Sequence, residues 1–230
     1  MSFVSTETED SICVLRIDHG KANTISTAVA EELISALDEA EKTADAIVLL
    51  GRPGMFSGGF DLATMKQGPA ASRGMLKAGA TLLMSIFNHP KPVVIGCAGH
   101  AIAMGTFLLM AGDERIGAEG DFKLGMNETA IGMTLPTFGI ELARARLSKR
   151  HFDRAVVHST IYDPAGAVEA GILDRLVSAD RLEAECLEAA RRLATLKQPA
   201  FRNNKRLAHA ETVDLILSTL DENLDRLMSG

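Results

Sequence analysis

The chain has 230 residues, a formal net charge of −6 at pH 7, 47% hydrophobic residues and 23% charged residues. These values are ordinary for a globular protein with one sizeable domain. Acidic and basic residues are interspersed, so the composition predicts neither a nucleic-acid-binding face nor a polybasic membrane patch.

Cysteine usage and the N-terminal segment predict a cellular compartment. Cys13, Cys97 and Cys186 are far apart and match no metal-binding spacing, so we expect reduced thiols and no metal site. The first ten residues, MSFVSTETED, are acidic and lack the pattern of a signal or transit peptide. The apolar run at residues 101–111 is too short to span a bilayer. We therefore expect a cytoplasmic protein.

The first quarter of the chain predicts a strand, a helix and a second strand. Residues 11–17 are β-rich, and Ser26 or Thr27 can cap a helix that runs to about Lys42. Residues 46–50 form a continuous apolar run, which is typical of a strand buried on both faces. The alternation favours an α/β fold.

Two glycine-bearing turns then connect strands to helices. The first is Met55–Leu62 (MFSGGFDL), and the second is Gly96–Ala111 (GCAGHAIAMGTFLLMA), with a helix predicted from Thr106. A strand that passes into a helix in this way leaves backbone N–H groups without partners. Between the turns we expect a loop at residues 66–72, a helix from Gly74 to Phe87 and a strand at 93–95.

The stretch Gly125–Pro136 (GMNETAIGMTLP) contains one carboxylate, Glu128, and no Lys, Arg or His. Burial among apolar neighbours raises the pKa of a carboxyl group, which suits it to general acid–base chemistry. A glutamate that begins a helix and faces water is the plainer interpretation. Short strands are expected before this stretch, at 115–118 and 122–124.

The remainder of the chain becomes increasingly helical. Helices are predicted at 138–147, 152–158 and 164–170, with Arg144, Arg146, Lys149 and Arg150 facing solvent, followed by a strand at 173–177. Helices alone are then predicted at 181–196, 199–208 and 211–228. We therefore divide the chain into an α/β core, residues 1–178, and a C-terminal helical subdomain, residues 179–230.

The two turns and the acid together indicate one kind of chemistry. Two backbone N–H groups that bind a carbonyl oxygen stabilise an enolate by about 3 kcal/mol per donor. A carboxylate beside the adjacent carbon can then move a proton. A thioester suits this chemistry because its α-protons become acidic once the oxygen is held.

Four ordered stretches also resemble a known family. Met55–Leu62 resembles a "FSAGADL" motif, Gly96–Asp113 a "xxGxAxGGGxELAxxCD" motif, and Phe122–Pro136 a "FGxPExxxGxxP" motif with two extra residues before the acid. Ala165–Val177 is similar to "A…GLVDxVV". These motifs belong to the crotonase (enoyl-CoA hydratase/isomerase) superfamily. The resemblance implies a crotonase-like spiral of ββα units with C-terminal helices that form trimers, commonly paired into hexamers.

The resemblance also implies residue roles. Glu128 would be catalytic, and the backbone N–H groups of Phe60 and Met104 would form an oxyanion hole. Contacts to an acyl-CoA substrate are expected from Lys21, Ala22, Ile25, Gly59, Asp61, Leu62 and Lys205, the last of which reaches a CoA phosphate in relatives. An acyl pocket is expected from Phe107, Met133 and Phe138, although core packing explains each side chain equally well. The CoA moiety of the substrate is the only cofactor implied.

One departure from the family pattern favours isomerisation. Hydratases of this family use two glutamates, and the position of the first is occupied here by Phe107, whereas the second is Glu128. A double-bond shift needs only one base that moves a proton between C2 and C4. The sequence around Glu128 also resembles the "GLNE" form of the Δ3,Δ2-enoyl-CoA isomerase branch. We therefore expect an enoyl-CoA isomerase of fatty acid metabolism, as in beta-oxidation.

Two other functions remain open at this point. An enoyl-CoA hydratase would need Glu141, or Asp61 through a water, to replace the missing carboxylate. A non-catalytic acyl-CoA-binding protein would keep the fold without turnover. A serine hydrolase at Ser57 is disfavoured, because the local sequence suggests no His–Asp pair.

Overall fold

The computed structural model describes residues 2–229, which form a mixed α/β fold. The strands are β1 (Val4–Glu9), β2 (Ile12–Ile17), β3 (Ala46–Leu50), β4 (Gly54–Ser57), β5 (Val93–Cys97), β6 (Gly99–Ile102), β7 (Glu114–Ala118), β8 (Leu124–Gly125) and β9 (Arg175–Val177). The helices are α1 (Thr27–Thr43), α2 (Leu62–Met65), α3 (Pro69–Phe87), α4 (Met104–Ala111), α5 (Thr137–Arg146), α6 (Lys149–Val156), α7 (Pro164–Ala170), α8 (Leu182–Ala194) and α9 (Ala200–Ser229). Single 3₁₀ turns lie at Thr129–Ile131 and Ala179–Arg181.

The strands form two sheets, and from β3 to β8 successive strands belong alternately to one sheet and the other. The larger sheet has the order β1-β2-β3-β5-β7-β9, and the smaller sheet has the order β4-β6-β8. Apart from the antiparallel β1–β2 pair, every pairing between these strands is parallel. Three successive passes, β3–β4, β5–β6 and β7–β8, each add one strand to each sheet. This arrangement confirms the predicted α/β spiral of ββα units.

Helices cover both faces of the larger sheet. Ser26 caps α1 by accepting a hydrogen bond from the N–H of Val29, and the apolar residues Val29, Leu33 and Leu37 of α1 are buried. Burying one such leucine, for example Leu33, stabilises a fold by about 1.5–3 kcal/mol. On the other face α8 packs against β3, β5 and β7, where the side chains of Leu50 and Cys186 both pack against Gly96.

The C-terminal helix α9 packs along α3 and α5. Arg73 and Lys77 of α3 pair with Asp221, and Arg73 also pairs with Asp225. The proposed boundary near residue 178 falls between β9 and the 3₁₀ turn that precedes α8, and the division into 1–178 and 179–230 stays a prediction. Its two end residues, Met1 and Gly230, lie outside the described residues.

Three local predictions are wrong, and one strand was missed. Strand β1 was not predicted, because its exposed residues pair only with β2 and carry little apolar signal. Helix α3 begins at Pro69, since proline is tolerated at the first helical position. The predicted turn at Gly96–Ala111 contains strand β6, and α4 begins at Met104 rather than at Thr106. Residues 200–229 form one helix, because nothing between 208 and 211 interrupts it.

Arg146 was also placed wrongly, since its side chain points into the protein. Its guanidinium donates hydrogen bonds to the carbonyl oxygens of Met110 and Gly112, at 2.8 and 3.0 Å, and lies 4.8 Å from the ring centre of Phe87. Burial, with a smaller contribution from Arg115, lowers the pKa of Arg146 to about 10. The positive charge lies at the carboxyl end of α4, where it interacts favourably with the negative end of the helix dipole.

Candidate active site

The turn after β4 is held in place by the loop that precedes α1. The buried side chain of Asn23 donates hydrogen bonds to the carbonyl oxygens of Ile17 and Phe56. Along the same edge, Gly58 N–H donates to the Ala22 carbonyl at 2.8 Å, and Ile25 N–H donates to the Gly59 carbonyl at 2.8 Å. This loop therefore acts as a short extra strand that fixes the path of residues 58–61.

The N–H of Phe60 is left available by this pairing. The bridge between Ile25 and Phe60 is parallel and uses the carbonyl of Gly59 and the N–H of Asp61, which donates to Ile25 at 3.2 Å. Within residues 2–229 the N–H of Phe60 donates no hydrogen bond. Gly59, which precedes this N–H, adopts φ = +103°, a backbone conformation that glycine adopts more readily than other residues.

The turn before α4 presents a second N–H beside the first. Ala103 adopts φ = +52°, and its carbonyl accepts from the N–H groups of Thr106 and Phe107. Met104 N–H, at the first position of α4, donates no hydrogen bond within the described chain. A Cβ on Gly59 would lie 3.6 Å from the Met104 nitrogen and 3.1 Å from Ala103 Cβ. The two turns are therefore in direct contact.

The hydroxyl of Thr106 connects this turn to the segment that carries Glu128. Thr106 is fully buried, and its hydroxyl hydrogen is shared between two carbonyl oxygens. Oγ1 lies 2.7 Å from the carbonyl oxygen of Ala101 and 2.9 Å from that of Gly125. The same oxygen accepts from the N–H of Gly125 at 3.1 Å. One side chain therefore joins the start of α4 to the end of β8.

Glu128 is a buried carboxylate with an unpaired oxygen. The residue is 7% exposed, and within the described chain its Oε2 atom is buried without a hydrogen-bond partner. Burial raises the pKa of Glu128, and the nearby N–H groups of Glu128 and Asn127 act in the opposite direction. Such a group binds a proton more tightly than a carboxyl in water and suits general acid–base chemistry.

The backbone around Glu128 is held by the segment between α6 and α7. The N–H of Ala130 donates to Ser159 Oγ at 3.1 Å, and Ser159 itself adopts φ = +52°. The carbonyl of Glu128 accepts from Met133 N–H at 2.8 Å and closes the 3₁₀ turn. Although this turn is exposed, the carboxylate that precedes it points inward.

The three acyl-pocket candidates lie in different environments. Phe107 and Phe138 are buried and form an edge-to-face pair with ring centres 6.1 Å apart. The ring of Phe107 also packs against Gly139, where a Cβ would lie 2.5 Å from Phe107 Cζ. Met133 is instead 40% exposed, beside Ile131 at 57%. The structure thus brings Phe107 and Phe138 together and places Met133 at the surface.

Among the candidates for CoA contacts, the side chain of Asp61 is already engaged within the chain. Asp61 caps α2, because its carboxylate accepts from the N–H groups of Ala63 and Thr64 and from Thr64 Oγ1. Although partial burial raises the pKa of Asp61, these hydrogen bonds outweigh it and hold the pKa below its usual value. Leu62 is 61% exposed, and Lys21 and Ala22 are exposed as well.

Lys205 does not fit the predicted contact with a CoA phosphate. Its ammonium group is buried under α9 and pairs with Asp113 at 2.6 Å, with only 5% of the side chain exposed. Burial lowers the pKa of Lys205, and Asp113 acts in the opposite direction. Asp113 Oδ2 also accepts from Val93 N–H at 2.8 Å. The lysine therefore anchors α9 to the core in this arrangement.

Sequence reasoning missed Asn23, Thr106 and Ser159, which position the site without a recognisable motif. Asn23 carries the clearest signal, since an asparagine between a turn and a helix cap is typical of a positive φ, and here φ is +50°. In residues 2–229 no group of three His, Cys, Asp or Glu side chains is arranged to hold a metal ion. None of the described helices is both long and apolar enough to cross a bilayer.

Comparison with known proteins identifies the class of enzyme. The family model described as "Enoyl-CoA hydratase/isomerase" matches residues 7–226. The chain belongs to this family, which confirms the resemblance to the crotonase superfamily.

Three individual relatives are similar to most of the chain. A crystal structure of an enoyl-CoA hydratase/isomerase family protein from Pseudomonas syringae has a TM-score of 0.95 and 37% identity, over 98% of both chains. A probable enoyl-CoA hydratase of Bacillus subtilis is 32% identical over 84% of this chain and 75% of that protein. Human mitochondrial enoyl-CoA delta isomerase 1 is 25% identical over 95% of this chain and 74% of that protein. The relatives carry both names, so the protein is an enzyme of this family and the comparisons do not separate the two reactions.

Proposed function

We propose that this protein is an enoyl-CoA isomerase that moves a double bond of an acyl-CoA thioester from C3 to C2. The N–H groups of Phe60 and Met104 bind the thioester oxygen and stabilise the enolate. Glu128 removes a proton from C2 and returns it at C4. The observation that supports this most is the buried, unpaired Oε2 of Glu128, since a shuttling base needs an oxygen free to take the proton.

The chemistry of the site favours isomerisation over hydration. Hydration needs a second polar group to activate water, and the α4 position that carries the first glutamate of hydratases is occupied by Phe107. That ring packs against Phe138 and Gly139. The two substitute acids are engaged elsewhere, because Asp61 caps α2 and Glu141 pairs with Arg144 at 3.1 Å.

Turnover of two substrates distinguishes the candidate functions. Purified protein is incubated with a 3-enoyl-CoA, and formation of the conjugated 2-enoyl thioester is followed by its ultraviolet absorbance. The same protein is incubated with a 2-enoyl-CoA, and water addition is followed by loss of that absorbance. We expect turnover of the first substrate only. Hydration as the main reaction would support a hydratase, and acyl-CoA binding without turnover would support a non-catalytic protein.

Substitution of Glu128 tests the assigned base. Glu128→Gln keeps the shape of the side chain but cannot accept the proton, so we expect kcat to fall about 10²–10⁴-fold. Glu119→Gln is the matched control, because it changes an exposed glutamate nine residues earlier that has no assigned role in the site. Full activity of Glu128→Gln would reject the mechanism, whereas equal loss in both variants would indicate a general effect of charge removal.

Two further inferences accompany this proposal: a homotrimer or hexamer, from the resemblance to the family, and a cytoplasmic location, from the cysteine usage and the N-terminal composition. Gel filtration with light scattering tests the first. A mass of about three or six chains supports it, and a monomer that turns over 3-enoyl-CoA contradicts it.

A further inference from the structure

Both residues that offer the candidate oxyanion N–H groups rest their side chains against one glycine of helix α3. Gly79 is buried, and a Cβ at this position would lie 2.5 Å from Phe60 Cε1 and 2.6 Å from Phe60 Cζ. The same point lies 3.4 Å from Met104 Cε.

We propose that Gly79 is a positioning residue of the active site, which seats the side chains of Phe60 and Met104 and thereby fixes the separation of their two backbone N–H groups. This inference rests on the proposed oxyanion role of those groups. The absence of a side chain at residue 79 forms a notch in α3 that receives the edge of the Phe60 ring. A residue with any Cβ there displaces the ring, because approaches below 3.0 Å do not occur between packed carbon atoms.

The displacement acts at the site because Phe60 carries both the ring and the candidate N–H group. Ile25 holds the carbonyl of Gly59 and the N–H of Asp61, which are the groups directly before and after Phe60. Ring movement must therefore be taken up by the torsions of Phe60 itself. The ring then moves against Met104 or into the space beside the two N–H groups, and we expect either movement to alter how a thioester oxygen is aligned with them.

The chain offers a matched control on the same helix. Gly74 is exposed, and a Cβ there meets nothing within 4 Å. Replacing a helical glycine by alanine removes backbone entropy from the unfolded chain. We therefore expect Gly74→Ala to raise the thermal midpoint by about 1–4 °C and to leave kcat unchanged. Gly79→Ala has the same effect on backbone entropy, but in addition it introduces the clash.

The experiment compares Gly79→Ala, Gly74→Ala, Phe60→Leu and the double variant Gly79→Ala/Phe60→Leu, with turnover of 3-enoyl-CoA by the unmodified protein as the reference. For Gly79→Ala we expect kcat to fall about 10–100-fold with KM changed less than threefold, because alignment matters most in the transition state. Leucine does not reach the notch, so Gly79→Ala should have less than a threefold effect in the Phe60→Leu background.

Each outcome decides the inference separately from the proposed function. Loss of kcat in Gly79→Ala with recovery in the double variant supports it. A folded Gly79→Ala variant with unchanged kcat overturns it. If Gly79→Ala lowers kcat by the same factor in the Phe60→Leu protein as in the unmodified protein, the inference is overturned as well. If Gly79→Ala does not fold, a folded and active double variant still supports the steric pairing, and a double variant that also fails to fold overturns it. Lack of isomerisation by the unmodified protein would instead refute the proposed function.

Discussion

The buried ion pair between Lys205 and Asp113 provides the sharpest test of how the C-terminal helix is held. Only 5% of the lysine side chain and 13% of the aspartate side chain are exposed, and the two charged atoms lie 2.6 Å apart. Lys205→Met removes the cation, retains most of the apolar volume and leaves Asp113 without its partner. Removing one partner of a buried pair costs about 3–5 kcal/mol. At about 2–4 °C per kcal/mol for a chain of this length, we expect the thermal midpoint to fall by about 6–20 °C.

Two controls separate loss of the ion pair from other effects of the substitution. Lys197→Met removes an exposed lysine just before α9 and should shift the midpoint by less than about 2 °C. Asp113→Asn in the Lys205→Met background removes the unpaired charge and should recover part of the lost stability. Thermal unfolding followed by circular dichroism, together with KM for a 3-enoyl-CoA, is the assay. An unchanged midpoint with a tenfold higher KM would refute the structural role and support the CoA-phosphate contact instead.

Three further predictions follow from the site. Thr106→Val leaves the Gly125 N–H without its acceptor, so we expect the free energy of unfolding in urea to fall by about 1–3 kcal/mol and kcat to fall as well. Thr106→Ser keeps the hydroxyl and should retain both the stability and the kcat. Equal behaviour of the two variants would contradict this. Burial raises the pKa of Glu128, and its ionised form is the base. We therefore expect kcat/KM to rise with pH and to level off at a pH above the usual glutamate pKa of about 4.3. A profile that levels off at or below that pH would contradict this prediction. The folded state binds this proton more tightly than the unfolded state, so stability falls as pH rises between the two pKa values. At neutral pH Glu128→Gln should therefore have a higher thermal midpoint than the unmodified protein, and a lower midpoint would count against burial of the charge.

The order of elements could be predicted because local signals dominate in most of the chain. Ser26 caps α1 as its sequence position suggests, and the apolar run at 46–50 is a fully buried strand. Strand β1 could not be predicted in this way, since it lies at the edge of the sheet and only Val4 of its residues is buried. Edge strands of this kind are stabilised by pairing with a neighbour, and pairing leaves little trace in the sequence.

The candidate site was also predictable in part, since the motifs single out Glu128 and the two turns, whose catalytic roles stay predictions. The supporting side chains were not predictable, because their roles arise from contacts between distant segments. Thr106 joins two strands of the smaller sheet, and Gly79 receives a ring from a turn 19 residues earlier in the sequence. Lys205 was assigned to a substrate phosphate because a sequence motif does not reveal that Asp113 lies within reach.

The central claim is that Glu128 moves the C2 proton of a thioester whose oxygen is held by two backbone N–H groups. The most direct measurement is the loss of deuterium from C2 of a 3-enoyl-CoA labelled at that carbon, with its transfer to C4 or to solvent followed by nuclear magnetic resonance. We predict rapid loss with the unmodified protein and a rate lower by about 10²–10⁴-fold with Glu128→Gln. Equal rates of loss in the two proteins would contradict the mechanism.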